Sequence, residues 1–293
     1  MTPGAMLRQK NCRATATLFV AMLLAAPSVA GEYSTQTFLV DDGDMPRRVV
    51  AHIYKPAALP TKAPILVIMH GLNRDARGYL QTWEPLAEKY GAVLVAPEFA
   101  KAGWPKSRHY AQGNLLGANR RSKPPGAWSF IAMERAVKIA AHATGAKNDS
   151  FLLYGHSAGG QFVHRYIMVT GGRGVIKAVA ANSGWYMWPD ELRRYPFGVG
   201  GYRRNLKQAF ARRLTILAGE RDNNPDAKNL ARSANAMAQG KTRLERARNF
   251  FAAARIAAGR NGATFNWRFA TVPDAGHSNR KMSGAAARVL FGR

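Results

Sequence analysis

The chain has 293 residues, 47% of them hydrophobic, and carries 43 lysine and arginine residues against 17 aspartate and glutamate, for a formal net charge of +26. A chain of this length and apolar content can bury one sizeable core, which excludes a disordered or fibrous protein. A lone cysteine, Cys12, excludes a disulfide framework and a cysteine metal site.

Arg8, Lys10 and Arg13 precede the apolar run ATLFVAMLLAA, Ala16 to Ala26, and Ser28-Val29-Ala30 supplies the small residues that signal peptidase requires. The run is well short of the roughly 20 residues that span a bilayer. Residues 1–30 are therefore expected to be a cleaved signal peptide, and residues 31–293 a single domain that is periplasmic or extracellular, with no membrane segment. Cleavage removes Cys12 and three basic groups but no acidic one, leaving 40 basic against 17 acidic residues and a charge of +23. Such an excess is extreme for an exported protein.

Along the rest of the chain, apolar strand candidates alternate with helical patterns. TQTFLV and RRVVAHIY flank the turn signal DDGDMP and predict an antiparallel hairpin. PILVIMH (Pro64 to His70), GAVLVAPEF (Gly91 to Phe99), SFLLYG (Ser150 to Gly155), VIKAVAANSG (Val175 to Gly184), RLTILAGE (Arg213 to Glu220) and FNWRFATVP (Phe265 to Pro273) follow. Ser129 to His142 and Lys241 to Ala258 are the longest helical stretches between them. Strands that are apolar throughout, separated by helices, predict a mostly parallel sheet covered on both faces.

Gly155-His156-Ser157-Ala158-Gly159 stands where the SFLLYG strand ends and a helix begins with Phe162, Val163 and Tyr166 at helical spacing. The spacing fits a G-x-S-x-G nucleophile elbow, in which small residues permit a turn tight enough to project the serine from the sheet edge. A glycine-rich turn merely capped by serine is the structural alternative, and the strand before and the helix after argue against it.

A serine hydroxyl attacks only when a base takes its proton and a third group orients that base. After this elbow the order is serine, acid, histidine. Asp222 follows the RLTIL strand and His277 follows the last strand, so each stands past the carboxyl end of a strand, where such sheets collect their sites. Asp226 is a rival acid, and Asp274 is placed to close its own turn. His52 sits inside a strand pattern and His142 near a helix end; His156 and His164 flank the serine, where packing accounts for them. No H-E-x-x-H or comparable ligand spacing occurs, so a metal mechanism is not expected. The backbone N–H of Ala158 and that of Leu72, in the His70-Gly71-Leu72-Asn73 loop, are the expected donors to an oxyanion.

HGLNRDA, APEF, YAQGN, WSFIAMERA, GHSAGGQFVHR, NSGWY, GERD and FNWRFATVPDAGH together resemble an α/β-hydrolase family related to the polyhydroxyalkanoate depolymerase-like esterases. The resemblance runs from about Ile65 to His277, and its elbow, acid and histidine motifs fall on Ser157, Asp222 and His277. It implies an α/β-hydrolase fold and a serine hydrolase that needs no cofactor. The poly(aspartic acid) hydrolases, a secreted branch similar in plan, act on a polyanion. No linker or added binding module of the kind that polymer depolymerases use on solid polyester is visible in this sequence, so adsorption to solid polyester is not expected.

Lys101 to Lys123 carries six basic residues, among them Arg108 and Arg121, and no acidic one. The segment after VIKAVAANSG is also basic, with Arg203 and Arg204, and aromatic, with Trp185 and Tyr186. These six residues are the candidates for binding substrate. Such a field attracts anionic polymers and weakens in salt. Three functions stay open: a depolymerase acting on an anionic polymer such as poly(aspartic acid), a general carboxylesterase, and a silent hydrolase fold that binds polyanions or surfaces. One triad serves ester and amide alike, so the scissile bond stays open too. No nucleic-acid-binding motif is visible and no nucleic-acid partner is expected.

Overall fold

The apolar runs become the strands of one sheet. The computed structural model describes residues 1–2, 30–43, 45–147 and 150–292, and for Arg203 the backbone only; the predicted signal peptide therefore lies outside the described residues apart from its two ends. The strands are β1 (Glu32–Asp41), β2 (Pro46–Lys55), β3 (Ile65–Met69), β4 (Val93–Glu98), β5 (Phe151–His156), β6 (Val175–Ala181), β7 (Leu214–Gly219) and β8 (Arg268–Val272). Their spatial order is β1-β2-β4-β3-β5-β6-β7-β8. β1 and β2 form the predicted antiparallel hairpin, β2 runs antiparallel to β4, and every later pairing is parallel.

The connections supply the helices: α1 (Ala76–Tyr90), α2 (Ser129–Thr144), α3 (Ala158–Thr170), the short α4 (Leu206–Phe210) and α5 (Ala234–Met237), α6 (Arg243–Arg260) and α7 (Asn279–Phe291). All five residues of β3 are buried, and alternate ones feed different cores. Ile65, Val67 and Met69 pack with Phe130 and Met133 of α2, Phe162 and Tyr166 of α3 and Phe250 of α6. Leu66 and Ile68 pack with Leu80 and Trp83 of α1 and with Met282 and Leu290 of α7. A parallel strand between two helical layers needs apolar side chains on both faces, which is why these strands read as continuous apolar runs.

Parallel register aligns the carboxyl ends of the strands. Met69 pairs with Gly155, His156 with Ala181, Ala181 with Leu217, and Gly219 with Val272. The residues that follow, namely Gly71-Leu72, Ser157, Asp222 and His277, therefore emerge along one rim of the sheet.

Candidate active site

Ser157 occupies the turn between β5 and α3 with φ 60° and ψ −114°, a backbone conformation that most residues avoid. Its N–H donates to the Ala181 carbonyl and its carbonyl accepts from Gln161 N–H, so both ends of the turn are anchored. The flanking glycines are required by space. A Cβ on Gly159 would lie 2.0 Å from the Met69 carbonyl oxygen, and one on Gly155 would lie 2.2 Å from the Gly159 carbonyl oxygen. Only bare backbone lets α3 start this close to β3 and β5.

The Ser157 hydroxyl lies 2.9 Å from His277 Nε2, and His277 Nδ1 donates to Asp222 Oδ2 at 2.7 Å. The carboxylate is buried, 5% exposed, and its other oxygen accepts from Arg243 Nη1 at 3.1 Å. Asp226 has no place in this chain: its exposed carboxylate pairs loosely with Arg232. Asp274 takes φ 56° in the turn before His277 and pairs with Arg221.

Several residues that hold this hydrogen-bonded chain in place carried no signal strong enough to single them out from sequence. Arg243 begins α6, 21 residues beyond its partner Asp222. Asn182, just past β6, accepts from Gly219 N–H at 2.7 Å and donates to the Gly276 carbonyl at 2.9 Å. It thereby ties the end of β7 to the turn that presents His277. Tyr79 of α1 donates to His156 Nδ1 at 2.9 Å, and its hydroxyl packs against Gly71, where an added Cβ would lie 2.7 Å from it. It therefore sits between the residue before Ser157 and the loop that carries Leu72. Burial, reinforced by the His277 and Arg243 charges, holds His156 well below the usual histidine range, so it is neutral beside the His277 ring, 4.8 Å away. His164 is buried, with Nδ1 2.9 Å from the Gly160 carbonyl and Nε2 accepting from Met187 N–H, which makes it part of the packing.

His70 fixes the other side of the rim. Its Nε2 accepts from Phe99 N–H, its carbonyl accepts from the Tyr110 hydroxyl at 2.7 Å, and its ring stacks on Tyr110. Burial lowers it to about 3. Neither the Leu72 nor the Ala158 N–H has a backbone or side-chain acceptor among the described residues.

A cavity of about 500 Å³ opens on Ser157, and its walls include Gly71, Leu72, Ala158, Gln161, Trp185 and His277. Lys228 and the neighbouring residues to Ala231 close one side. Of the five predicted substrate contacts whose side chains are described, only Trp185 lines this cavity. Tyr186 is fully buried and stacks on Phe250 at 4.4 Å, because consecutive residues of the segment point to opposite sides. Arg204 borders a separate cavity with Glu191 and Val199. Arg108 turns toward His109, Arg121 lies on an exposed turn, and the Arg203 side chain is outside the described residues. The basic 101–123 segment is also less charged than its composition suggests, since Lys123 pairs with the buried Asp42.

A mostly parallel sheet with helices on both faces and a serine on the turn after β5 defines an α/β hydrolase. Among solved structures, the chain is 34% identical to poly(aspartic acid) hydrolase-1 from Sphingomonas sp. KT-1, with a TM-score of 0.81 over 88% of this chain and 98% of that one. It is 31% identical to LpqC, a poly(3-hydroxybutyrate) depolymerase from Bordetella parapertussis, with a TM-score of 0.83 over 90% of each chain. Acetyl xylan esterase from Aspergillus awamori shares the fold at 17% identity and a TM-score of 0.53, over 88% of this chain and 99% of that one. No protein-family model and no curated protein sequence matches the chain. The chain belongs to the α/β-hydrolase family of depolymerase-like serine esterases. Among the described residues, no helix is long and apolar enough to cross a membrane.

Proposed function

We propose that the protein is an exported hydrolase that cleaves a carbonyl ester or amide through an acyl-serine intermediate on Ser157. The observation that carries this reading is the unbroken chain from Ser157 Oγ through His277 to Asp222, with separations of 2.9 and 2.7 Å. Both distances fall within the reach of direct proton transfer.

Ser157 Oγ attacks the carbonyl carbon as His277 Nε2 takes its proton, and the carbonyl electron pair moves onto oxygen. The Leu72 and Ala158 N–H groups bind that oxyanion; their place on the cavity wall without a protein acceptor supports this role. Collapse of the intermediate breaks the bond to the leaving alcohol or amine, which receives the proton from His277. Water then repeats the sequence on the acyl-serine, with His277 again as base, and releases the acid. Asp222, fixed by Arg243, holds the imidazole in the tautomer with hydrogen on Nδ1 and stabilises its cationic form.

The substrate favoured is a polymer or oligomer bearing carboxylates, supported by the net charge, +26 for the full chain and +23 without residues 1–30, and by the likeness to a poly(aspartic acid) hydrolase. The likeness to a poly(3-hydroxybutyrate) depolymerase keeps a neutral polyester as the second reading. Purified protein assayed on poly(aspartate), soluble oligomers of 3-hydroxybutyrate and simple neutral esters separates them. Cleavage of poly(aspartate) is expected. Turnover of neutral esters alone makes the protein a general carboxylesterase, and turnover of none makes it a binding module.

A further inference from the structure

Three guanidinium groups lie in or behind the wall of the Ser157 cavity, Arg243 in it and Arg246 and Arg165 behind it, and they are compensated very differently. Arg243 is neutralised by Asp222. Arg246 directs Nη1 to the Gly184 carbonyl, Nη2 to that of Ala231 and Nε to that of Gly240. Arg165 has neither arrangement. It is fully buried in α3, and its Nη1 reaches only Gln161, at 2.9 Å to the carbonyl and 3.4 Å to the side-chain Oε1. Its Nε and Nη2 have no hydrogen-bond partner among the described residues.

No carboxylate among the described residues offsets this charge. The ionisable group that acts on Arg165 is the Tyr195 phenol, which burial keeps neutral. Burial lowers Arg165 to about 10, so it remains a cation at neutral pH. The Trp185 ring, with its centre 4.1 Å from the guanidinium carbon, offsets part of the desolvation. A buried cation without a counter-ion is otherwise costly, and it is the kind of group that a ligand anion completes.

Geometry says where that anion would sit. Gln161 and Arg165, four residues apart, lie on successive turns along one face of α3, and the Gln161 N–H donates to the carbonyl of Ser157, which caps that helix. Gln161 and Trp185, the side chains that contact Arg165, both line the cavity. Because Oε1 of Gln161 accepts from Arg165, the amide Nε2 is a donor, and it lies beside Gly184 with no acceptor among the described residues.

We propose that Gln161, polarised by the buried Arg165 and walled by Trp185, forms a subsite for a substrate carboxylate about one helical turn from the scissile carbonyl. This rests on the reading of Ser157 as nucleophile and adds what sets the substrate's charge. It also differs from steering by surface charge, because a buried cation behind the wall acts at short range and is little screened by salt.

Two small esters test the subsite: monomethyl succinate and methyl succinamate, which differ only in a carboxylate against a carboxamide. The parent is expected to prefer the carboxylate in kcat/KM by about ten-fold, and to keep that preference within about three-fold between 0.1 and 1 M NaCl. Gln161→Leu and Arg165→Met are each expected to reduce the preference by about ten-fold. Gln161 is only partly buried, so its variant decides the question if Arg165→Met fails to fold. A parent without preference, or a Gln161→Leu variant that retains it, overturns the subsite while hydrolysis of methyl succinamate upholds the hydrolase. Hydrolysis of neither ester overturns both.

Discussion

Arg243 and Asp222 form a buried ion pair, with Nη1 3.1 Å from Oδ1 and side chains 4% and 5% exposed. Removing one member of such a pair leaves the other desolvated without its partner, at a cost of about 3 kcal/mol or more. Arg243→Met is therefore expected to lower the free energy of unfolding by roughly that amount, and also to lower kcat, because Asp222 loses the group that fixes one of its oxygens. Urea unfolding and steady-state turnover of the variant measure the two effects. Wild-type stability would show that the pair is energetically neutral.

Glycines make opposite predictions at two places. Gly159→Ala puts a methyl 2.0 Å from the Met69 carbonyl oxygen, where the obstructing atom is backbone, so the variant is expected to lose several kcal/mol or to fail to fold. Gly284 lies within α7, and a Cβ there meets nothing within 4 Å. Gly284→Ala is expected to raise stability by about 0.5–1 kcal/mol through helix propensity alone. Thermal melts of the pair check both signs.

Acid should unfold the protein early. Burial holds His70, His156 and His164 neutral in the folded state, with His70 lowered to about 3, whereas in the unfolded chain each titrates near 6.5. Above pH 6.5 these groups contribute no pH dependence. Below it the unfolded chain binds protons that the folded protein refuses, so stability falls as pH drops, and for His70 the loss continues to about pH 3. Three such histidines cost on the order of 6 kcal/mol between pH 7 and pH 5. Urea midpoints at the two pH values measure the loss, and equal midpoints would mean that these histidines are protonated or exposed on folding.

If the exposed cations steer an anionic polymer, kcat/KM on poly(aspartate) should fall steeply from 0.1 to 1 M salt, as the screening length shrinks from about 10 Å to about 3 Å. A neutral ester should change little in the same titration. An equal salt response of both substrates would assign the charge to solubility or surface retention.

The strands and the rim were legible in the sequence because their signals are local. An apolar run ending in a glycine-flanked serine, or in a loop with Asp222 or His277, marks a strand end and a candidate site residue together. The partners of those groups were not legible, because long-range packing brings them in. Arg243 meets Asp222 from a different helix, and Asn182 meets Gly219 and Gly276 across two strand ends. The basic and aromatic loops were the least legible, since loops have no period that says which side chain faces the cavity. Trp185 faces it and Tyr186, the next residue, packs under Phe250.

Labelling with a fluorophosphonate, read by peptide mass spectrometry, tests the central claim most directly. A serine polarised by His277 at 2.9 Å should be phosphonylated stoichiometrically at Ser157, and Ser157→Ala should be neither labelled nor active while keeping the parent's fold. Unchanged turnover in Ser157→Ala, or labelling of the parent at another serine, would contradict the account.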